Sequence, residues 1–414
     1  ISQKTELIKK GLDKNKTTYY KENLPSFRPE PYMSSARDNM LRMAFIFLPD
    51  KNPYAENFSP LSLWKLVANM IFKSPYFDEQ YRKIIPGTEK IVDTAKIISN
   101  TEDKVKYIYY AVKRRIPESI GQSSFPEDIA NTWKKRSGTT SEINMILINL
   151  LKRSGVSCHP VLVSTRDHGR INLNFPSFGQ FNGLDVLVQD KNVAYLIDAS
   201  ERFQPYNIPP VNVLNREVFI LDPDNIRWAL ITDNRPLLKQ SVNVFADINA
   251  EGKIEGVANI QYFDYAKSKR LDTAQKKGGD DNDKFSDKTP VGLKIISSHQ
   301  DLTDNPEDPL FETIEFAYEA QNSNEFYFIK PQLFVLTDKN PFLAEKRTTD
   351  IDFGCNQLVM STMEIGLQDL FEIDHLPKNI LIMAPDSSFY YKAVYTGDSK
   401  KLILSQIFET KRAI

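Results

Sequence analysis

The residues best suited to proton transfer, nucleophilic attack or metal binding are four histidines, His159, His168, His299 and His375, and two cysteines, Cys158 and Cys355. Their spacing supports little of that chemistry. His159 and His168 bracket one strand-like stretch, and extended chain of that length spans about 30 Å, so they share no metal unless the chain doubles back. The cysteines form neither a disulfide framework nor a CxxC pair. Cys158 precedes His159, but neighbours on a strand point to opposite faces, and a free cysteine at a strand entry is more often a small buried hydrophobe. Arg166, Asp167, His168 and Arg170 form a polar turn, able to line a cleft or simply to be solvated. The aspartates of residues 276–287 (KKGGDDNDKFSD) lack EF-hand spacing, so that stretch reads as a solvated loop. No GxGxxG, Walker A or HExxH occurs, which removes the commonest nucleotide and zinc-protease readings. No cofactor and no metal is expected.

The elements that would position such groups come in a clear order. Residues 1–55 begin polar, are broken by Pro25, Pro29 and Pro31, and end in an apolar, strand-like stretch at 41–48. From residue 62 to 154 the period is helical. Leu63, Leu66, Val67, Met70 and Ile71 share a face, as do Val105, Ile108, Tyr109 and Val112. A third helix follows Gly138, carries Ile143, Ile146, Leu147, Leu150 and Leu151 on one stripe, and stops near Gly155. Strand signals follow at 160–165, 184–189 and 194–198. After residue 223 the pattern is one of short alternating runs, at 242–248, 253–262, 312–318, 326–336, 358–365 and 402–408. This order predicts an α+β chain: helices packed on a small antiparallel sheet over 56–222, then an all-β, sandwich-like domain over 223–414. Residues 1–55 read as the tail of a preceding β-rich domain.

Bulk properties narrow the function. The 414 residues carry 53 basic and 54 acidic side chains, a balance that gives no field for steering towards nucleic acid. The longest apolar runs fall far short of the roughly 20 residues a membrane span needs, so no transmembrane segment is expected. The chain begins at Ile1 rather than Met, as expected of a processed protein whose export signal lies outside it. Aromatic clusters such as Tyr107, Tyr109 and Tyr110, or Phe389, Tyr390 and Tyr391, suit either sugar stacking or a core.

The stretch WKKRSGTTSEINMILINLLKRSGVSCHPVLVSTRDHG, followed by FNGLDVLVQDKNVAYLIDAS, resembles the transglutaminase-like superfamily. That pattern runs from a tryptophan lead-in through glycine, a polar residue and a cysteine opening a helix. A strand with PVLV follows, then a histidine after FN and an aspartate in LDAT. Trp133, Gly138, Gly155, Phe181, Asn182 and Asp198 match. The cysteine position falls on Thr140 and the histidine position on Gly183. A register slip of one residue gives Thr139 or Ser141, still hydroxyls.

The resemblance implies a papain-like unit whose nucleophile, base and orienter would be a helix-start cysteine, a facing histidine and an aspartate. With Thr140 and Gly183 in those slots no activated thiol and no base remain, and Asp198 reads better as a strand-end carboxylate accepting turn amides. A hydroxyl without an adjacent base is a poor nucleophile. The flanks YYKENLPSFRPEPYMSS and NPFLAEKRTTDIDFG resemble the β-rich domains that precede and follow such cores in envelope proteins of Bacteroidetes. The family therefore implies a periplasmic or cell-surface, non-catalytic module for a peptide, protein or glycan. Trp133, Ser141, Arg166, His168 and Asn182 are its candidate binding residues. Two alternatives stand beside it: a hydrolase or acyltransferase using Thr140 or Ser141 with a base such as His168 or Asp185, and a structural spacer.

Overall fold

The structure, a computed structural model, describes residues 8–13, 16–20, 23–24, 26–42, 59–190, 193–223, 225–276, 292–303, 305–330, 333–334 and 341–411. Most of the strand-like stretch at 41–48 and of the loop at 276–287 lies outside them. In chain order a hairpin, β1 (Ile8–Asp13) and β2 (Lys16–Tyr20), and a short helix, α1 (Ala36–Asn39), come first. Six helices follow: α2 (Pro60–Lys73), α3 (Pro75–Arg82), α4 (Glu89–Ile97), α5 (Thr101–Arg115), α6 (Ile129–Lys135) and α7 (Thr140–Arg153).

Next come β3 (Ser157–Val163), β4 (Gly183–Asp190), β5 (Val193–Ile197), β6 (Arg216–Ile220) and β7 (Arg227–Ile231). They form one antiparallel five-stranded sheet in the order β5-β4-β3-β6-β7. The chain thus mixes helices with large sheets, consistent with an α+β class. The sheet continues past residue 222, because β7 hydrogen-bonds to β6.

The helices are amphipathic, and their apolar stripes meet one face of that sheet. Trp64, Ile108, Tyr109, Ile143, Ile146 and Leu147 join Leu162, Leu184, Val186 and Ile197 in one buried cluster. Helix α7 is the centre of this layer: from Thr140 to Leu151 every residue is buried, Asn144 and Asn149 included. Its C-terminus is released by Gly155 at φ 81°, a left-handed conformation that glycine adopts without a Cβ clash. The opposite face of the sheet buries Val161, Val163, Leu187, Leu196 and Val218 in a second cluster.

The remaining strands are β8 (Leu238–Ile248), β9 (Lys253–Phe263), β10 (Leu293–Asp301), β11 (Leu310–Glu319), β12 (Gln321–Ser323), β13 (Phe326–Phe328), β14 (Gln357–Gly366), β15 (Ile380–Met383), β16 (Phe389–Gly397) and β17 (Lys401–Thr410), with helix α8 (Asp264–Lys276) after β9. Where alternating runs suggest a two-sheet sandwich, eight of these strands are hydrogen-bonded into a single sheet, β10-β11-β9-β8-β14-β17-β16-β15. Period-2 patterning says which face of a strand is apolar but not which strands pair. Helix α8 covers part of this sheet, and its Arg270 forms a buried ion pair with Glu312 of β11.

Candidate functional site

Helix α7 begins where the residues dictate. A side chain at Gly138 would collide with Thr132 and Glu142. Thr139 is the N-cap, and Glu142 three residues on accepts the Thr139 amide at 2.8 Å, as in a capping box. Thr140 is therefore the first helical residue, and it is buried. A covering segment runs across it: the Ile120 amide donates to the Gly138 carbonyl at 2.9 Å and the Thr140 amide to the Gly121 carbonyl at 3.0 Å. The Thr140 hydroxyl accepts the Ser123 amide at 3.0 Å and donates to the Ser123 carbonyl at 3.1 Å. Ser141 is fully buried, with Oγ 3.2 Å from Thr139 Oγ1. Among the described residues, the side-chain hydrogen bonds of Thr140 and Ser141 go to Ser123 and Thr139, and none to a histidine.

Gly183 opens β4 opposite Val163. A Cβ there would lie 2.8 Å from Val163 Cγ2 and 3.5 Å from Gln122 Oε1, so an imidazole fits only if Val163 yields. Asp198 follows the last residue of β5, and its Oδ1 accepts from Asn144 Nδ2 at 2.7 Å and from the Ser200 amide at 2.8 Å. Asn144, one turn beyond Thr140, also donates to the Leu184 carbonyl at 2.8 Å and accepts the Ala199 amide at 2.9 Å. The carboxylate is thus held by a buried amide and a turn, with no imidazole to orient.

The β4–β5 register pairs Val186 with Ile197, so one step beyond the ladder Asp185 comes opposite Asp198. Asp185 is buried, and its Oδ2 has no hydrogen-bond partner among the described residues. Burial, reinforced by Asp198 and Glu201, holds its pKa well above the usual carboxylate range. Glu201 is shifted up by burial and by Asp198. Lys113 of α5 is buried against them, donates to the Glu201 carbonyl, and lies 5.4 Å from the Tyr109 ring centroid. Burial brings its pKa down to about 8 against the pull of Asp198 and Glu201. The Tyr109 hydroxyl sits 2.8 Å from the carbonyls of both Asp198 and Gln204. Around buried Asp185, Asp198 and Tyr109, sequence reasoning missed the buried Lys113 and the solvent-reaching Glu201. The signal for Lys113 was a lysine four residues beyond Tyr109 on an otherwise apolar helix stripe.

The other candidate residues are engaged within the chain. Arg37 NH1 lies 2.8 Å from His168 Nε2, and Ser164 Oγ lies 2.9 Å from Nδ1. Burial first, then Arg37, lowers the His168 pKa. Arg166 forms an ion pair with Asp352, and the Arg170 amide donates to Asp38 at 2.6 Å. The polar turn therefore joins the segment around Asp38 to the chain around Asp352. Asn182 clamps Thr165, accepting its amide at 2.9 Å and donating to its hydroxyl at 2.7 Å. Trp133 is buried, with the Arg115 guanidinium 5.4 Å from its ring centroid. His159 Nε2 lies 3.0 Å from Gln189 Oε1, and His299 Nε2 lies 3.0 Å from Asp301. Cys158 is buried, and burial pushes its thiol up to about 12. Among the described residues no three His, Cys, Asp or Glu side chains are grouped to hold a metal, and no helix is long and apolar enough to cross a membrane.

A pocket of about 470 Å³ opens on the sheet face away from α7. Leu187, Leu196 and Ile220 are among its apolar lining, and Asn207, Arg227 and Arg235 among its polar lining. Its size and mixed lining suit a small ligand or a peptide side chain.

No family model matches this chain, and no curated protein matches it. A solved structure does show a likeness. It is that of a protein described as a putative protease from Parabacteroides distasonis, 11% identical, with a TM-score of 0.49. The likeness covers 99% of this chain and 62% of that chain, so this chain spans less than two thirds of that protein's length.

Proposed function

We propose that this chain is a transglutaminase-like envelope protein that binds a ligand or partner without catalysis. The observation that carries the reading is the Thr140 hydroxyl, whose single proton is donated to the Ser123 carbonyl and whose lone pair takes the Ser123 amide. A hydroxyl held this way, buried and without a base, does not attack a carbonyl. The papain-like assignment is supported by helix α7 starting beside the covering segment and packing on an antiparallel sheet that carries Gly183 and leads to Asp198. In this reading residues 1–55 close a preceding β-rich domain, 56–222 form the papain-like unit, whose sheet also takes in β7, and the rest of 223–414 forms the following β domain. The periplasm or cell surface is its place, and the ligand is a peptide, protein or glycan that uses the pocket walled by Leu187, Leu196 and Arg227.

The alternative with Thr140 as nucleophile needs a base. His168 is occupied by Arg37 and Ser164, and the hydrogen bonds of the Thr140 hydroxyl go to Ser123, not to Asp185. The test is a broad screen for peptidase and amine-incorporation turnover with the wild type and Thr140→Ala, beside peptide and glycan binding arrays with Arg227→Ala. Binding lost in Arg227→Ala without turnover in either protein is the expected result. Turnover abolished by Thr140→Ala overturns it.

A further inference from the structure

Strand β15 ends the eight-stranded sheet, and its outer edge has no partner strand among the described residues. Ile380, Leu381, Ile382 and Met383 are 38%, 66%, 53% and 59% exposed, so the whole strand is apolar and open to solvent. Soluble proteins usually protect such an edge with a charge or proline inside the strand, or with a covering element. Here the charges stand just outside it, at exposed Lys378 and Asp386, and the prolines are Pro377 and Pro385.

The hydrogen-bond parity of the strand is set by its inner neighbour. Ile380 faces Ala393 and Ile382 faces Tyr391 across the ladder with β16. One step past the strand, the Ala384 amide donates to the Phe389 carbonyl at 3.0 Å. Alternation along an antiparallel pair then turns Ile380, Ile382 and Ala384 towards β16 and directs the amides and carbonyls of Leu381 and Met383 outward.

We propose that β15 is a self-association edge, on which a second copy of this chain pairs antiparallel about a two-fold axis through Ile382. In that register Leu381 of one copy faces Met383 of the other, and their outward amides and carbonyls are exchanged. Lys378 and Asp386 each stand four residues from Ile382 along the chain. Only an identical strand running antiparallel and centred there places each charge beside its opposite, twice over, and this self-complementarity selects a second copy as the occupant. Asp386 is held at the strand end by its own Oδ1, which accepts the Ser388 amide at 3.1 Å and hydroxyl at 2.6 Å. Pro385 offers no amide, so the new ladder stops before it.

The register is tested by cross-linking. An Ile382→Cys variant brings its two thiols together across a non-hydrogen-bonded pair with Cα atoms about 4.5 Å apart, within disulfide reach. The natural Cys158 and Cys355 are buried and do not compete. Mild oxidation should give a covalent dimer of Ile382→Cys, and little of Ile380→Cys, whose two copies would stand about 13 Å apart. In sedimentation experiments Lys378→Glu should weaken self-association by about tenfold through like-charge contacts. Lys378→Glu combined with Asp386→Lys should restore it. Leu381→Pro deletes an outward amide, leaves the β16 ladder intact, and should weaken association with an unchanged thermal unfolding curve. A monomer at every concentration, equal cross-linking at positions 380 and 382, or a charge swap that fails to restore association overturns the proposal.

Discussion

Replacing Thr140 by valine keeps the shape of the side chain and removes its hydroxyl, which isolates what that hydroxyl does. Two hydrogen bonds disappear, from the Ser123 amide at 3.0 Å and to the Ser123 carbonyl at 3.1 Å. A net hydrogen bond contributes about 1 kcal/mol, and a buried group left unpaired costs roughly 1–3 kcal/mol. Thr140→Val should therefore destabilise the protein by about 2 kcal/mol. Thr140→Ser keeps both bonds and gives up one buried methyl, for a loss of about 1 kcal/mol. Urea unfolding reads the order wild type, then serine, then valine as falling midpoints at constant slope. Amide exchange at Ser123 adds a local readout, because its protection depends on Thr140 and should fall only in the valine variant. A valine variant as stable as wild type, with unchanged exchange at Ser123, would show that the hydroxyl is free, and the structural role assigned to it would be refuted.

Three further outcomes follow from the buried charges. Asp185 has a folded pKa raised above the ordinary 3.8, so the folded protein holds the extra proton and stability falls as pH rises from about 4 through the raised value. Asp185→Asn should flatten that decline above pH 4 in urea titrations, and an unchanged slope would mean Asp185 does not titrate there. Lys113 has a folded pKa of about 8 against 10.5, so the unfolded chain binds more protons between those values and stability should rise with pH across the window. Lys113→Met should abolish that rise, and a persisting rise would assign it to another group. Breaking the buried Arg270–Glu312 pair with Arg270→Ala should cost about 3–5 kcal/mol, whereas Arg270→Met with Glu312→Leu should recover most of it. Additive losses in that cycle would contradict the pairing.

The parts of the fold that were legible are those written in local periodicity. The stripe from Ile143 to Leu151 marked α7, Gly155 marked its end, and alternating runs marked β8, β9, β11, β14 and β17 near their observed limits. Helix α8 was not legible, because its buried face is made of Tyr265, Ala266, Lys267 and Arg270 and carries hardly any apolar stripe. The attachment of β7 to the five-stranded sheet, and the joining of eight strands into one sheet, are tertiary choices that a period-2 pattern leaves open. The helix start at Thr140 could be read from Gly138, the hydroxyl cap and Glu142. Its closure by Ser123 could not, since nothing in the residues around Ser123 announces a covering segment. Asp185 could be named as a possible base, but its burial opposite Asp198 could not be read from the run LDVLVQ, and the Arg166–Asp352 pair joins residues far apart in sequence.

The central claim, that Thr140 is a structural residue and not a nucleophile, is tested most directly by labelling the protein with a hydroxyl-directed fluorophosphonate and mapping adducts by peptide mass. The account predicts no adduct on Thr140 or Ser141 under conditions that label a serine hydrolase to completion. A stoichiometric adduct on Thr140 that vanishes in Thr140→Val would contradict it.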